Sequence, residues 1–184
     1  MKLRLVAGRL KGRVLTIPER NQAFRPTRSR IRESVAGILT PVLQDAVAAD
    51  ICAGSGACGF EMVSRGARHI YFIENDRYRC RRIEEHARAF GIAEQCSIFS
   101  GEYSDFIGKC GTSLDIIYFD PPYGMEHASD SIPDLLRLLS AEGILVYEFR
   151  RRKGIRRPPS WSDTPRPFDH RSYGGTDIFL FKKS

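Results

Sequence analysis

Four consecutive residues combine groups that suit chemistry on a nucleobase. Asp120, Pro121, Pro122 and Tyr123 follow directly after the apolar run 114–119. A carboxylate at the end of a buried strand is costly to desolvate, which indicates a functional role for Asp120. The two prolines fix φ and remove two backbone donors, so the neighbouring carbonyl oxygens have fixed directions. We predict that Asp120 and the Pro121 carbonyl accept hydrogen bonds from an amino group while Tyr123 stacks on a planar base, as methyl transfer to an exocyclic nitrogen requires.

The tetrapeptide leaves a second interpretation open. A proline-rich turn that closes a strand, with Asp120 as a solvated cap, has the same sequence. The tetrapeptide does not separate these two interpretations, and the segment upstream decides between them.

That upstream segment has the pattern of a ligand-binding glycine loop. The apolar run 47–52 is followed by Gly54, Gly56 and Gly59 in the spacing G-x-G-x-x-G, and then by a helical pattern. Glycines at the first two positions let a ligand approach the backbone, and the third permits close packing of helix on strand. Dinucleotide enzymes share the motif, so the spacing alone does not identify the cofactor.

A carboxylate stands where a ribose contact is expected. Glu74 ends the apolar run 69–73, twenty residues after Gly54. At this spacing a carboxylate accepts hydrogen bonds from ribose hydroxyls, although a strand-end acid on the surface is the simpler alternative. A nicotinamide dinucleotide and S-adenosylmethionine both fit so far. The Asp-Pro-Pro-Tyr sequence favours S-adenosylmethionine, because hydride transfer has no use for a pocket that binds an amino group.

These residues lie within alternating strand and helix patterns. Such alternation is typical of an α/β fold with a doubly wound parallel sheet. The predicted strands are 47–52, 69–73, 96–99, 114–119, 143–149 and, at the end of the chain, 177–181. The predicted helices between them are 57–65, 77–90, 103–108 and 130–139.

The N-terminal part of the chain has a different pattern. The short apolar runs 3–6 and 13–17 flank two glycines and predict a small β-hairpin. Pro26 and Thr27 predict the start of a helix, and Pro41 predicts its end. We therefore expect a hairpin extension with its linker over residues 1–24 and a catalytic domain over 25–184.

Charge is distributed unevenly along the 184 residues, whose net charge is +7. Residues 1–32 contain ten Lys or Arg and one acid, 150–184 contain ten and three, and 33–149 contain nine and eighteen. Two basic ends around an acidic middle favour a polyanionic partner held from two sides, although basic termini also aid solubility. The candidate RNA contacts near the first end are Arg9, Lys11, Arg13 and Arg25.

Composition argues against several other classes of protein. No apolar run is long enough for a membrane span, and basic residues interrupt the N-terminus where a signal region would be apolar. The five cysteines include no C-x-x-C pair, and the four histidines lack metal-ligand spacing. We expect neither a disulfide framework nor a metal site, and a cytoplasmic protein.

Together the motifs resemble bacterial methyltransferases that modify N2 of a guanine in small-subunit ribosomal RNA. The glycine and Asp-Pro-Pro-Tyr motifs are shared with many amino-methyltransferases. The segments 7–13 (Ala-Gly-Arg-Leu-Lys-Gly-Arg) and 25–33 narrow the resemblance to this family. It implies a Rossmann-like sheet of seven strands with the last one antiparallel. It also implies S-adenosylmethionine as cofactor and 16S ribosomal RNA as partner, within a small subunit or its assembly intermediate, and a monomer.

The same resemblance assigns roles to individual residues. The methionine end of the cofactor would lie against Asp50, Gly54 and Gly56, with Ala53 and Ser55 in the same loop. The ribose would bind Glu74, with Asn75 beside it, and the adenine would lie near Glu102 and Tyr103. Thr27 and Arg30 would approach the cofactor carboxylate, or instead cap and solubilise the first helix.

Two rival functions remain compatible with the motifs. A DNA adenine-N6 methyltransferase uses the same tetrapeptide, but it normally needs a separate segment that reads DNA, for which this chain has little room. A catalytically idle RNA-binding assembly factor would retain the fold. It would not need Asp120, Tyr123 and the glycine loop together.

Overall fold

The computed structural model describes residues 1–17, 29–122, 125, 127–151 and 165–183. The predicted site residues Arg25, Thr27 and Tyr123 lie outside the described residues, as do the predicted helix start at Pro26 and the predicted domain boundary at residue 24. None of the helices in the described ranges is long and apolar enough to cross a membrane.

The described chain forms nine strands and five helices. The strands are β1 (Lys2–Arg4), β2 (Val14–Thr16), β3 (Val47–Ile51), β4 (His69–Glu74), β5 (Cys96–Ser100), β6 (Leu114–Phe119), β7 (Leu139–Arg150), β8 (Asp169–Tyr173) and β9 (Thr176–Lys182). The helices are α1 (Ser29–Leu43), α2 (Ala57–Ser64), α3 (Arg77–Ala89), α4 (Tyr103–Lys109) and α5 (Ile132–Arg137). Short 3-10 helices lie at Ala93–Gln95 and Ala128–Ser131.

Seven strands form one sheet in the order β5-β4-β3-β6-β7-β9-β8. Strands β3 to β7 are mutually parallel, and β9 is antiparallel to both of its neighbours. This confirms the predicted Rossmann-like sheet with its last strand antiparallel. Chain order reverses between β3 and β6, and in open α/β sheets ligands bind at the carboxyl ends of the strands at such a point.

Helices cover both faces of the sheet, which explains why its central strands are apolar on both sides. On one face, side chains such as Ile116 and Tyr118 pack under α1, α2, α3 and the N-terminal hairpin. On the other, Ile117 and Phe119 pack under α4 and α5. Because side chains alternate between the two faces of a strand, each central strand contributes to two separate cores.

The predicted end of the first helix at Pro41 is wrong. Helix α1 continues through Pro41 to Leu43. Proline destabilises a helix interior by removing one hydrogen bond and crowding the preceding turn. Here it stands in the last turn, and the fully buried side chains of Leu39 and Leu43 hold that turn on the core.

Two further boundaries differ from the prediction. The region predicted as one helix over 130–139 divides into a 3-10 turn and the short helix α5, and β7 begins at Leu139 rather than at 143. Strand β8 was not predicted, because this strand at the sheet edge has mostly polar, exposed residues and no apolar run.

The predicted N-terminal hairpin forms as the two-stranded sheet β1-β2. Its apolar residues Leu5, Leu10 and Leu15 are buried in the core that α2 and α3 also share. Backbone N–H groups of the hairpin donate to α2: Val6 N to Glu61 Oε1 (2.8 Å) and Leu10 N to Ser64 Oγ (2.9 Å). The hairpin is therefore docked on the catalytic body by packing and directional hydrogen bonds.

Candidate active site at the carboxyl ends of the central strands

The glycine loop is a tight turn between β3 and α2. Cys52, Gly54 and Gly56 all have positive φ (62°, 56° and 73°), and Gly56 N donates to Ala53 O at 2.7 Å. Ala53 and Ser55 are half-buried in the same turn. A Cβ on Gly59 would lie 2.3 Å from the Phe72 ring, so only glycine permits this approach of α2 to β4. The turn thus has the compactness that the spacing predicts.

Glu74 supports the glycine loop from the neighbouring strand. Its buried carboxylate accepts hydrogen bonds from Gly54 N (2.7 Å) and from Asp76 N (3.0 Å). Arg79 Nη1 lies 3.5 Å from the same carboxylate. Glu74 is therefore not a solvated acid at a strand end. A carboxylate offers about four lone-pair positions, so these contacts leave capacity for a ribose hydroxyl, the role predicted for it.

Asp50 lies beneath the start of α2. Its buried carboxylate accepts a hydrogen bond from Gly59 N at 2.8 Å. Burial raises the pKa of Asp50 well above its usual value, and the negative charges of Asp120, Glu74 and Glu148 act in the same direction. In the structure Asp50 holds the helix that follows the loop, and a direct contact with a cofactor stays a prediction.

The residues predicted to border the ribose and adenine are brought together in part. Asn75 Nδ2 donates to Glu102 Oε1 at 3.0 Å, so the ends of β4 and β5 meet beside the loop. Tyr103 instead packs on Phe119, with ring centroids 5.2 Å apart, and its hydroxyl lies 3.2 Å from Ser131 Oγ. Arg30 lies exposed on the first turn of α1.

Asp120 stands where β6 ends, next to the loop. Its N–H donates to Ile51 O at 3.3 Å, which joins it to the end of β3. Its side chain is 18% exposed, and Oδ2 lies 3.0 Å from Arg150 Nη2. Pro121 is half-buried and Pro122 is exposed. The structure thus brings the predicted acceptor Asp120 to the same edge of the sheet as Gly54 and Glu74.

Three residues linked to Asp120 through side-chain contacts, namely Arg150, Glu148 and Tyr118, were not predicted from the sequence. Arg150 Nε donates to Glu148 Oε1 at 3.0 Å, and the Tyr118 hydroxyl donates to the other oxygen of Glu148. The Glu148 side chain has no exposed surface. A signal was present, since Glu148 interrupts the apolar run of β7 in the same way that Asp120 follows that of β6.

A comparison with known families identifies the chain. A family model described as Conserved hypothetical protein 95 matches residues 3–182. The chain belongs to this family.

Two named relatives are similar to this family member over most of its length. Ribosomal RNA small subunit methyltransferase D of Escherichia coli strain K12 is 29% identical over 164 residues, covering 88% of this chain and 82% of that protein. The protein of the same name from Haemophilus influenzae is 26% identical over 166 residues, covering 88% and 86%. These relatives support the methyltransferase assignment, and with it S-adenosylmethionine as cofactor.

Solved structures agree with the fold. The Escherichia coli protein yhhF aligns with a TM-score of 0.83 at 26% identity, covering 100% of this chain and 98% of that chain. An RNA methyltransferase from Salinibacter ruber, solved with S-adenosyl-L-homocysteine, aligns with a TM-score of 0.65 at 15% identity, covering 86% and 94%. At that identity the second structure shares the fold alone.

The electrostatics of this family member's site suit a cationic cofactor. Burial raises the pKa of the Cys52 thiol, and the charges of Glu74, Asp120, Asp50 and Glu102 raise it further, so carboxylates surround the start of the loop. A sulfonium carries a positive charge, which this group of acids would stabilise. These carboxylates therefore fit S-adenosylmethionine on chemical grounds.

The hairpin arginines lie at the opposite end of the sheet. Arg9 N donates to Ser64 O, the last residue of α2, and its guanidinium donates to Gln95 Oε1. The Arg13 guanidinium lies 5.9 Å from the Phe90 ring centroid, and Lys11 is exposed at the turn. Helix α2 starts at the glycine loop and has 8 residues, so this turn lies about 12 Å or more from the candidate site.

Proposed function

We propose that this chain transfers a methyl group from S-adenosylmethionine to the exocyclic N2 of a guanine in 16S ribosomal RNA. The observation that carries the proposal is the position of Asp120, whose N–H bonds to the end of β3 directly before the glycine loop. An acceptor for an amino group and a loop for the methyl donor therefore share one edge of the sheet. The proposed partner is the small ribosomal subunit or its assembly intermediate in the cytoplasm, and the enzyme acts as a monomer.

The amine must become a better nucleophile. Its lone pair is delocalised into the guanine ring, so hydrogen bonds that favour a pyramidal nitrogen weaken that conjugation. The Asp120 carboxylate and the Pro121 carbonyl accept these hydrogen bonds and stabilise the positive charge that develops on nitrogen. Tyr123, which lies outside the described residues, stacks on the base after it leaves its helix or loop.

The remaining residues bind and orient. Bound S-adenosylmethionine supplies an activated methyl group as a sulfonium, so the protein contributes mainly position. Gly54 leaves room at the loop, Glu74 accepts from the ribose hydroxyls, and Glu102, which accepts a hydrogen bond from Asn75, borders the adenine. Gly56 instead lets the turn pack on the core, since a Cβ there would lie 3.1 Å from Ile83, Phe60 and Phe72. No covalent nucleophile is required.

The hairpin turn contributes a second contact with RNA in this proposal. Arg9, Lys11 and Arg13 lie far from Asp120, so they bind backbone phosphates of a part of the RNA other than the target nucleotide. Their role is affinity, since phosphate contacts carry no base information.

The relatives named ribosomal RNA small subunit methyltransferase D support the choice of RNA over DNA. The decisive experiment incubates the protein and tritiated S-adenosylmethionine with small ribosomal subunits from cells that lack it, and then analyses the nucleosides. We expect N2-methylguanosine with the wild-type chain and at least about a hundredfold less with Asp120→Ala. Labelled N6-methyladenine alone would favour the adenine enzyme, and cofactor binding without any transfer would favour the idle assembly factor.

A further inference from the structure

Four polar side chains form a ladder across the ends of β6 and β7. Tyr118 and Asp120 are two residues apart on β6 and its end, and Glu148 and Arg150 are two apart on β7. The register pairs Tyr118 with Val146 and Phe119 with Tyr147. Residues two apart on a strand share a face, so all four side chains lie on the side of the sheet that carries α1 and α2.

Arg150 joins the two carboxylates of this ladder. Its Nη2 lies 3.0 Å from Asp120 Oδ2, and its Nε lies 3.0 Å from Glu148 Oε1. A guanidinium presents its donors in a rigid fork, so bonds to two acceptors fix its plane. Tyr118 in turn donates to Glu148, which anchors the far end of the ladder.

We infer that Arg150 is a positioning residue for Asp120 in the proposed methyl transfer, itself held in place by Glu148 and Tyr118. The inference rests on the proposed function. Arg150 fixes the rotation of the Asp120 carboxylate and places a positive charge beside it, so that its acceptor oxygens point toward the amino group of the target base.

Burial and charge favour this role over a purely structural one. The Arg150 side chain is 16% exposed and Glu148 is fully buried. Replacement of a whole buried ion pair by apolar residues of similar size is often neutral, because desolvation offsets the attraction, so stability alone does not require this pair. Removal of one partner is destabilising, so the melting temperature of each variant is measured beside its kcat. Asp50, Glu74, Asp120 and Glu148 also lie near one another, and Arg150 places a cation between two of these carboxylates, which offsets their mutual repulsion.

Two substitutions at Arg150 separate orientation from charge. Arg150→Lys keeps the charge but replaces the rigid planar fork by a point charge with rotatable donors, whereas Arg150→Gln removes the charge. For Arg150→Lys we expect kcat to fall by about tenfold to a hundredfold, the usual cost of a small misplacement, with the dissociation constant for S-adenosylmethionine within about threefold of wild type. For Arg150→Gln we also expect the acid limb of the kcat–pH profile to move upward by about one unit.

Arg65→Lys is the matched control. Arg65 is 18% exposed and lies 3.8 Å from the Glu61 carboxylate, which is 2% exposed, but it stands at the end of α2 that is away from the glycine loop. It tests the loss of a half-buried guanidinium beside a buried acid. We expect its kcat and pH profile to match those of wild type.

The outcomes distinguish the inference from the function on which it rests. If wild type methylates guanine but both Arg150 variants keep its kcat and pH profile, the inference is wrong and the proposed function stands. If an Arg150 variant loses cofactor binding and melting temperature in proportion to its activity, Arg150 is structural and the inference is again wrong. If wild type does not methylate ribosomal RNA, both fall together.

Discussion

Glu74 and Gly54 connect two strand ends through one hydrogen bond: the carboxylate that ends β4 accepts from the N–H of the loop that follows β3, at 2.7 Å. The two residues are twenty positions apart in the chain. The loop's conformation therefore depends on a side chain from a neighbouring strand, and the loop and the predicted ribose contact are coupled.

Substitution of Glu74 should weaken cofactor binding. Glu74→Ala removes the acceptor for Gly54 N and the proposed acceptor for the ribose, so we expect a loss of about 1–3 kcal/mol in S-adenosylmethionine affinity, the usual cost of unpaired buried polar groups. Isothermal titration calorimetry measures it. Glu74→Gln, which keeps one acceptor oxygen, should lose less. Unchanged affinity in Glu74→Ala would leave Glu74 with a structural role only.

Substitution of Asp120 should lower kcat without a comparable loss of cofactor affinity. Asp120→Ala removes an interaction made mostly in the transition state, so we expect kcat to fall by about a hundredfold or more. Cofactor affinity should stay within a few-fold. Asp134→Ala, at an exposed position on α5, is the control and should keep wild-type kcat. A folded Asp120→Ala protein that fails to bind cofactor would assign this residue to the cofactor site instead.

The close packing of the hairpin on α2 predicts that substitutions at two glycines change the stability in opposite directions. A Cβ on Gly8 would lie 1.8 Å from Ser64 O, and Gly8 has φ of +74°, so Gly8→Ala should reduce the free energy of unfolding by about 2 kcal/mol or more. Gly37, inside α1, has nothing within 4 Å of its Cβ position. Gly37→Ala should therefore increase stability by up to about 1 kcal/mol. Urea unfolding measures both, and equal effects would contradict the observed docking.

The basic turn predicts a salt-dependent contribution to RNA binding. Replacement of Arg9, Lys11 and Arg13 by Ala should weaken RNA binding and reduce the slope of log affinity against log salt by about 0.7–0.9 per lost phosphate contact. Cofactor affinity should not change, because the turn lies at the far end of α2. Binding titrations at several salt concentrations give the slope.

A control for that variant lies on the other face of the sheet. Lys109 and Arg137 lie on α4 and α5, so their replacement changes the net charge without altering the hairpin. Their replacement by Ala should leave the slope near its wild-type value. A triple hairpin variant that behaves like this control would mean that these three side chains do not contact RNA, and that RNA is held by the C-terminal basic segment.

His86 predicts how the stability depends on pH. Burial, together with the neighbouring Arg82, lowers the pKa of His86, and its Nε2 accepts a hydrogen bond from Thr16 N of the hairpin at 3.1 Å. The unfolded chain therefore binds this proton more readily than the native one. Stability should decrease as pH falls below about 6.5, the ordinary value for histidine.

Two variants test this pH dependence. His86→Gln keeps an acceptor for Thr16 N but does not titrate, so it should flatten the decrease in melting temperature between neutral and mildly acidic pH. His127→Gln, at an exposed position, should not. The same decrease in wild type and His86→Gln would exclude His86 as its origin.

Local pattern determined the layers and the position of the site. Apolar runs of strand length that alternate with helical patterns require a parallel sheet covered on both faces, and parallel strands end at a common edge. Asp120 and Gly54, each directly after such a run, were therefore expected at the same edge of the sheet. That they are neighbours follows from the pairing of β3 with β6, which the tertiary structure decides. The third glycine of the motif, Gly59, likewise packs as its spacing predicts, because no side chain fits between α2 and Phe72.

Only the tertiary structure decided features that depend on distant contacts. Helix α1 continues past Pro41 because Leu39 and Leu43 are buried by other elements, and polar β8 is a strand because β9 supplies its hydrogen bonds. The pairing of Arg150 with Asp120 and the position of the hairpin turn away from the site follow from strand register and docking. Local periodicity predicts neither of them. Each joins residues that are far apart in the chain, and only the assembled core determines which side chains become partners.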